Sequence, residues 1–290
     1  MSARPNRHIW LCADDYGISP AVNDAIRDLI ARRRINATSV MVVAPSCGRD
    51  EAKDLLDVAA GKAAIGLHVT LTAPFRPLSS GFEPLQRDTF PSLTAMLGRA
   101  HLRLLKPELL ASEIARQFAT FAAAFGRPPD FVDGHQHVHL FPQIGAALLR
   151  VIKDTAPNAW VRQCGRRRAT GKGFADGKAL LLDGLSRRFR RIADSYDVRT
   201  NTAFAGTYRF GSRADYNHLF GTFLDGMADG GLIMCHPGKV DAELEHLDPL
   251  TDLREREYAF FQAEAFLHLL DAHRVALTTI SSPPGAAVAS

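Results

Sequence analysis

Short apolar segments rich in β-branched residues alternate with segments of helical period along most of the chain, and this alternation limits the fold more than any other feature. Repeated β-α units build a parallel sheet that is covered by helices. About eight candidate strands in 290 residues predict an α/β fold of the (β/α) barrel-like, TIM-barrel-like type, which could be incomplete or distorted. An open doubly wound sheet is the alternative. The candidate strands read HIWLCA, TSVMVVA, AAIGLHVTL, DFVDGH, AWVRQ, NTAFA, GLIMCH and RVALTTI.

The segments between the strands carry helix signals. The first has Ser19 as its predicted N-cap and Pro20 at its first position, followed by an apolar face. Further helices are predicted over residues 108–125, 143–153, 215–228 and 252–272. No linker divides the chain, so we expect one domain over residues 1–290.

Two stretches interrupt the alternation. One is an insertion at about residues 72–106 that contains four prolines and Gly81, and the other is a glycine-rich basic loop at about 164–178. Long loops at strand ends tend to shape binding sites in such folds. We expect these two insertions to influence the choice of substrate.

Polar residues follow several predicted strands at the point where each strand ends. Because the carboxyl ends of parallel strands open on one face of a barrel, residues far apart in sequence would converge there. Such convergence is what a metal site requires. The residues are Asp14 and Asp15 after the first strand, His68 in the third, Asp133, His135, His137 and His139 in the fourth, Arg162 after the fifth and His236 after the seventh.

Each of these residues also has a simpler interpretation. Asp14 and Asp15 could cap the following helix, since carboxylates favour helix N-termini, and His68 alone could be a hydrogen-bonded core residue. The histidine run is followed by LFP, so the strand should end near His135 and leave the other two histidines in a loop. We expect one of the three to bind metal and the others to support it or meet the substrate.

One carboxylate and two imidazoles are a donor set for a divalent metal ion. Such a set binds Zn, Fe, Co, Ni or Mn well and Mg more weakly, and we expect one ion, Zn or Mg, with Co, Ni or Mn as alternatives. A bound divalent ion supports hydrolysis, because it acidifies water and polarises a carbonyl. A second carboxylate could take the proton from that water and a histidine could protonate the leaving group, roles that Asp14 and His236 fit.

Composition restricts the partners and the location. The formal net charge is +4 and the pI is about 9.0, from arginine clusters that we interpret as solvated surface. They lack the interleaved aromatic residues of a single-strand binder, so no nucleic acid partner is expected. No apolar run reaches the roughly 18 residues of a membrane span. The N-terminal segment lacks a secretory signal, and the four cysteines form no CxxC pair, so we expect a cytoplasmic protein with reduced thiols.

Four segments, in this order, resemble the YdjC-like carbohydrate deacetylases, which include chitooligosaccharide deacetylases and hopanoid-associated deacetylases. They read ADDYGISPAVN, GLHVTLT, GRPPDFVDGHQHVHLFPQ and MCHPG. The resemblance implies a barrel-like fold and the hydrolysis of an N-acetyl group from an amino sugar, in an oligosaccharide or a glycolipid. A lipid-linked substrate would bring peripheral contact with a membrane, and a homo-oligomer stays open.

The resemblance also implies roles for individual residues. Two positions depart from the commoner family pattern, Tyr16 and Gln136, and neither is an implied ligand. The implied metal ligands are Asp15, His68 and His135, the catalytic base is Asp14, the acid is His236, and Arg162, His137 and His139 meet the substrate or support the site.

Three alternatives to a sugar deacetylase remain at this point. The same ligand set could cleave an amide in a non-sugar substrate. A protein that keeps the fold could bind sugar or metal without catalysis, although both Asp14 and His236 are present. A nucleic-acid-binding protein is the third, and it rests on the arginine clusters alone.

Overall fold

A computed structural model describes residues 6–166, 177–208 and 215–278. Its strands form one parallel sheet in the order β5-β4-β3-β2-β1-β7-β6, with β8 paired to β1. The predicted α/β, barrel-like fold is confirmed. The strands are β1 (Arg7–Tyr16), β2 (Ala37–Val40), β3 (Ala64–Val69), β4 (Phe131–Gly134), β5 (Trp160–Val161), β6 (Phe204–Ala205), β7 (Leu232–Cys235) and β8 (Val275–Leu277).

The sheet curls so that its two edges approach each other. An isolated parallel bridge joins Val161 at the β5 edge to Thr200 before β6, and the Val161 amide donates to the carbonyl of Arg199 at 2.9 Å. Because this contact is a single isolated bridge and not a continuous pairing of strands, the barrel is incomplete. The sheet has all its carboxyl ends on one face, as the functional interpretation requires.

Strand β1 is the centre of the sheet. Its first residues, from Arg7 to Ile9, pair with β8, and the following residues, from Trp10, pair with β7. On its other edge β1 pairs with β2. Its burial is almost complete from Ile9 onwards, as its apolar sequence predicts for a strand covered on both faces.

The helices cover the sheet. The first begins at Pro20, and the Ser19 hydroxyl accepts a hydrogen bond from the Val22 amide at 3.3 Å, so Ser19 and neither aspartate caps it. The helices are α1 (Pro20–Ala31), α2 (Arg49–Ala59), α3 (Leu93–His101), α4 (Pro107–Phe125), α5 (Ile144–Thr155), α6 (Gly177–Ser195), α7 (Tyr216–Asp225), α8 (Ala242–Leu247), α9 (Asp252–Gln262) and α10 (Glu264–Ala272).

The helix predicted over residues 252–272 is in fact two helices. The helix is interrupted at Ala263, whose extended ψ of 148° ends α9 before α10 begins. The break allows phenylalanines of both helices to pack with α7. Ring centroids of Phe220, Phe261 and Phe266 lie 5.2 to 5.7 Å apart, and this aromatic cluster fixes α9 against its neighbours.

The structure describes the first insertion in full and the second in part. The insertion at residues 72–106 contains α3. Of the basic loop predicted at 164–178, residues 167–176 lie outside the described residues. Among the described residues of the arginine clusters, Arg187 and Arg188 are exposed, as predicted. The prediction is wrong for Arg34, which is buried and pairs with Glu264 at 2.7 Å. Within the described ranges, no helix is long and apolar enough to cross a membrane.

Candidate active site

Asp14 and Asp15 lie in a bulge at the end of β1. The strand was predicted to end at Ala13, but it continues to Tyr16, and its register against β2 shifts between Ala13 and Tyr16. Consecutive side chains in a regular strand point to opposite faces. Here Asp15 has a φ of 67°, in the left-handed region that Asp tolerates, and both carboxylates line the same cavity. The bulge therefore places two adjacent carboxylates in one site.

Asp15, His68 and His135 form a compact cluster of possible metal ligands. Their ligand atoms all lie within 4.8 Å of one another. Asp15 Oδ1 is 3.3 Å from His68 Nε2 and 3.1 Å from His135 Nδ1. Ligand atoms that are each about 2.0–2.2 Å from one ion have a spacing of this size, so the donor set fits a divalent metal.

The orientation of His68 supports this interpretation. Its Nδ1 lies 2.6 Å from Asp133 Oδ1 and 3.0 Å from the Ser39 hydroxyl. Asp133 and His68 are direct partners between β3 and β4, so the strand pairing itself creates the contact. With the Nδ1 proton donated to Asp133, the Nε2 lone pair faces Asp15, which requires either a proton or a cation between them. Fixing a histidine tautomer in this way is typical of metal sites.

The pKa of His68 reflects the same surroundings. Burial, the largest single effect, would lower this pKa, but the carboxylates of Asp133, Asp15 and Asp14 together raise the pKa to about 10. Asp15 is the opposite case. Burial would raise its pKa, and the guanidinium of Arg254 together with the two histidines holds that pKa well below its usual range. Asp15 is therefore a carboxylate at neutral pH, as a metal ligand must be.

The histidine run folds into a tight turn at His135–Leu140 rather than a strand. Gln136 and His137 have φ values of 54° and 61°, so the period of two is lost and the three rings diverge. His135 and His137 line the cavity. His139 is fully buried, and its Nε2 lies 2.9 Å from the carbonyl oxygen of Arg162.

Arg162 lies beneath Asp14. Its two terminal nitrogens each lie 2.6 Å from a different Asp14 oxygen, and one of them is 2.5 Å from Asp133 Oδ2. Burial would raise the pKa of Asp14, but Arg162 outweighs burial and holds that pKa far below its usual range. Arg162 is itself 0% exposed and does not line the cavity, so its position is that of a support for Asp14.

The functional residues surround one cavity of about 450 Å³. His236 enters it directly after β7, the strand that pairs with β1, and further lining residues are carried by β1, β3 and the histidine turn. The insertion contributes Pro74 and Leu93, and the segment from Leu247 to Leu250 forms a further wall. The residues that line it from among those predicted are Asp14, Asp15, His68, His135, His137 and His236.

Sequence reasoning missed charged residues on α9. Arg254 donates to Asp15 Oδ2 at 2.6 Å, and Glu257 accepts a hydrogen bond from the His236 amide at 2.6 Å. Both are 1% exposed. A signal was present, because Arg254 and Glu257 share a helix face with Phe261, which is 0% exposed. Charges on an apolar stripe need partners, and the partners here are site residues.

A known protein family matches most of this chain. The family model described as YdjC-like protein matches residues 8–272. The chain belongs to the YdjC-like family. The resemblance noted from the sequence motifs is thereby confirmed.

Two curated relatives of this chain carry the same name. A chitooligosaccharide deacetylase from Citrobacter koseri is 28% identical over 241 residues, which cover 79% of this chain and 81% of the relative. Another chitooligosaccharide deacetylase, from Serratia marcescens, is 29% identical over 234 residues, 80% of this chain and 82% of its own.

A solved structure supports the fold of this YdjC-like chain. It comes from Enterococcus faecalis and is provisionally named as a cellobiose-phosphate cleavage protein. It matches with a TM-score of 0.72 and 20% identity, over 95% of this chain and 98% of that one. At this identity the likeness concerns the fold alone.

Proposed function

We propose that this protein is a metal-dependent carbohydrate N-deacetylase, which hydrolyses the N-acetyl group of an amino sugar and releases acetate. The observation that carries the proposal is the position of Asp14 and His236, which line one cavity together with the Asp15, His68 and His135 cluster. The names of the curated relatives support a substrate that contains N-acetylglucosamine.

Asp15, His68 and His135 would hold the metal. When bound, a divalent ion polarises the carbonyl, stabilises the developing oxyanion and lowers the pKa of water. Two imidazoles and one carboxylate favour Zn, Co, Ni or Mn over Mg, which prefers oxygen ligands. We expect Zn to be bound more tightly than Mg.

Asp14 is the proposed general base. Its pair with Arg162 keeps it ionised throughout the neutral pH range, so that it can always accept a proton. The same pair lowers its basicity, so Asp14 can accept a proton only from water that has become more acidic than bulk water. Arg162 and His139 are proposed to position the base, since neither side chain lines the cavity.

His236 is the proposed general acid. It faces the cavity from β7, on a different strand from Asp14, so that one group can take a proton while the other donates one to the departing amine. His137, which also lines the cavity, is proposed to contact the sugar.

The test is acetate release by metal-reconstituted protein from N-acetylglucosamine, short chitooligosaccharides and a glycolipid bearing N-acetylglucosamine. We expect release from at least one, and Asp14→Asn should lower kcat by roughly 10²–10⁴-fold with unchanged metal content. Asp24→Asn, on the exposed face of α1, is the matched control. Full activity of Asp14→Asn would reject the proposed base. A panel of non-sugar acetylated amines is assayed alongside, and release from these amines alone would reject the sugar.

A further inference from the structure

We propose that helix α9 carries two buried positioning residues, Arg254 for the metal ligand Asp15 and Glu257 for the general acid His236. This inference rests on the proposed function of the site. Helix α9 is not part of the sheet. None of the four sequence motifs includes Arg254 or Glu257.

The pattern of charge on α9 separates these two residues from their neighbours. The sequence from Arg254 to Glu257 reads R-E-R-E, and its outer members are buried whereas Glu255 and Arg256 are exposed. A buried charge is costly unless it is paired and hydrogen-bonded. The aromatic cluster that contains Phe261 holds α9 in the orientation that turns both charges towards the site.

Because of Arg254, the two oxygens of Asp15 have different partners. Its NH2 nitrogen donates to Oδ2 at 2.6 Å, while Oδ1 faces His68 and His135. One oxygen is therefore left for the metal, and coordination through both oxygens of Asp15 is prevented. The contact also holds the side chain of Asp15 at a backbone φ of 67°, a left-handed conformation that Asp tolerates.

Arg254 also joins the ligand to the cavity wall. The same nitrogen lies 2.5 Å from Asp248 Oδ2, and Nε donates to the carbonyl of Leu250 at 3.1 Å. Both Asp248 and Leu250 line the cavity. A displacement of the wall and a displacement of Asp15 are thus resisted by one side chain.

Glu257 acts on the other half of the machinery. One of its oxygens accepts from the His236 amide at 2.6 Å, and the other accepts from the Tyr208 hydroxyl at 2.6 Å. The first contact fixes the backbone of the residue directly after β7. In Glu257→Gln the His236 amide and the Tyr208 hydroxyl can no longer both donate to residue 257, because glutamine has no charge and a single acceptor oxygen.

The experiment compares Arg254→Met and Glu257→Gln with matched controls on the same helix, Arg256→Met and Glu255→Gln. Co²⁺ is the probe, read by its dissociation constant and its visible absorption spectrum, and kcat and KM are measured on diacetylchitobiose. Arg254→Met should raise the Co²⁺ dissociation constant by roughly 10–100-fold, because Asp15 loses the residue that orients it. The absorption spectrum should also change, because Asp15 becomes free to coordinate through both oxygens. Arg254→Lys, which retains the charge, should recover part of the affinity.

Glu257→Gln should leave Co²⁺ binding within about twofold and lower kcat with little change in KM. If Glu257 acts through His236, a variant with both Glu257→Gln and His236→Ala should be no slower than His236→Ala alone. The two exposed controls should behave as the wild type.

Several results would overturn the inference. An unchanged Co²⁺ dissociation constant in Arg254→Met removes the Arg254 half, and independent, additive losses in the double variant remove the Glu257 half. Equal losses in the exposed controls would reduce both to general destabilisation. Wild-type protein that binds Co²⁺ but releases no acetate would overturn the proposed function and the Glu257 half with it, whereas the Arg254 half is decided by metal affinity alone.

Discussion

Arg162 and Asp14 form a buried bidentate ion pair across the barrel, with both nitrogen–oxygen distances at 2.6 Å. The same guanidinium also reaches Asp133, the residue that orients His68. One cation therefore serves both the proposed base and the support of a proposed metal ligand. Arg162 links two parts of the site that the sequence places on different strands.

Arg162→Met should destabilise the metal-free protein strongly. The change leaves Asp14 and Asp133 buried without their counter-ion, which costs about 3–5 kcal/mol. Urea unfolding measures the loss. The control is Arg166→Met, which breaks a partly exposed pair with Asp183 and should cost less than about 1 kcal/mol. Similar losses in the two variants would mean that the Asp14 pair contributes no more than a surface pair.

His135→Ala should lose the metal. His135 supplies one of the two imidazoles in the cluster, and removal of a ligand cannot be compensated by residues that already have partners. Elemental analysis after dialysis against Zn²⁺ measures the content. His101→Ala, an exposed histidine on α3 that bonds only to its own helix, should retain it. Stoichiometric metal in His135→Ala would require a different ligand set.

Metal binding at pH 8 should release a proton from His68. Its pKa is raised from 6.5 to about 10, because the carboxylates of Asp133, Asp15 and Asp14 together outweigh the opposing effect of burial. Metal-free protein is therefore protonated at Nε2 at this pH, and the incoming ion displaces that proton. It follows that metal affinity rises with pH up to about 10.

Isothermal titration calorimetry in buffers of different ionisation enthalpy counts the protons. Asp133→Asn removes the carboxylate that raises the pKa of His68, so this variant should release fewer protons at pH 8. Equal proton release by the variant and the wild type would show that the proton comes from elsewhere.

His137→Ala should raise KM and leave kcat nearly unchanged. The side chain lines the cavity without belonging to the metal cluster, so its loss removes a contact that the substrate makes before and during the reaction. Loss of one hydrogen bond of about 1 kcal/mol corresponds to roughly a fivefold rise in KM. His139→Ala is the contrast. His139 is fully buried, so its removal should lower the free energy of unfolding. A fall in kcat alone for His137→Ala would contradict the assignment.

The convergence of the site could be predicted from sequence because it depends on strand order alone. Parallel strands end on one face, and the polar residues after β1, β3, β4 and β7 do meet in one cavity. The side-chain directions could not be predicted. The register shift between Ala13 and Tyr16 aims Asp14 and Asp15 at one site, and a bulge of this kind depends on pairing with β2.

The partners of the buried charged residues could not be predicted from local sequence patterns, for a different reason. Arg162 follows a strand and was expected to meet the substrate or support the site. Its burial depends on Asp14 and Asp133 from two other strands, which its own strand does not reveal. Arg254 and Glu257 share a helix face with Phe261, and this pattern separates them from Glu255 and Arg256. Their partners, Asp15 and the His236 amide, lie at the ends of β1 and β7, so these contacts could not be predicted from the helix sequence.

Asp15 and Arg254 are 239 residues apart in the chain. During synthesis on a ribosome, the carboxylates of β1 emerge first and their cationic partners arrive last, Arg162 midway and Arg254 near the end. The nascent polypeptide therefore holds Asp14 without its cationic partner until Arg162 emerges, and Asp15 without Arg254 for most of translation. A product that stops before α9 would lack the partner that holds Asp15, so we expect it to bind metal more weakly than a chain that includes α9.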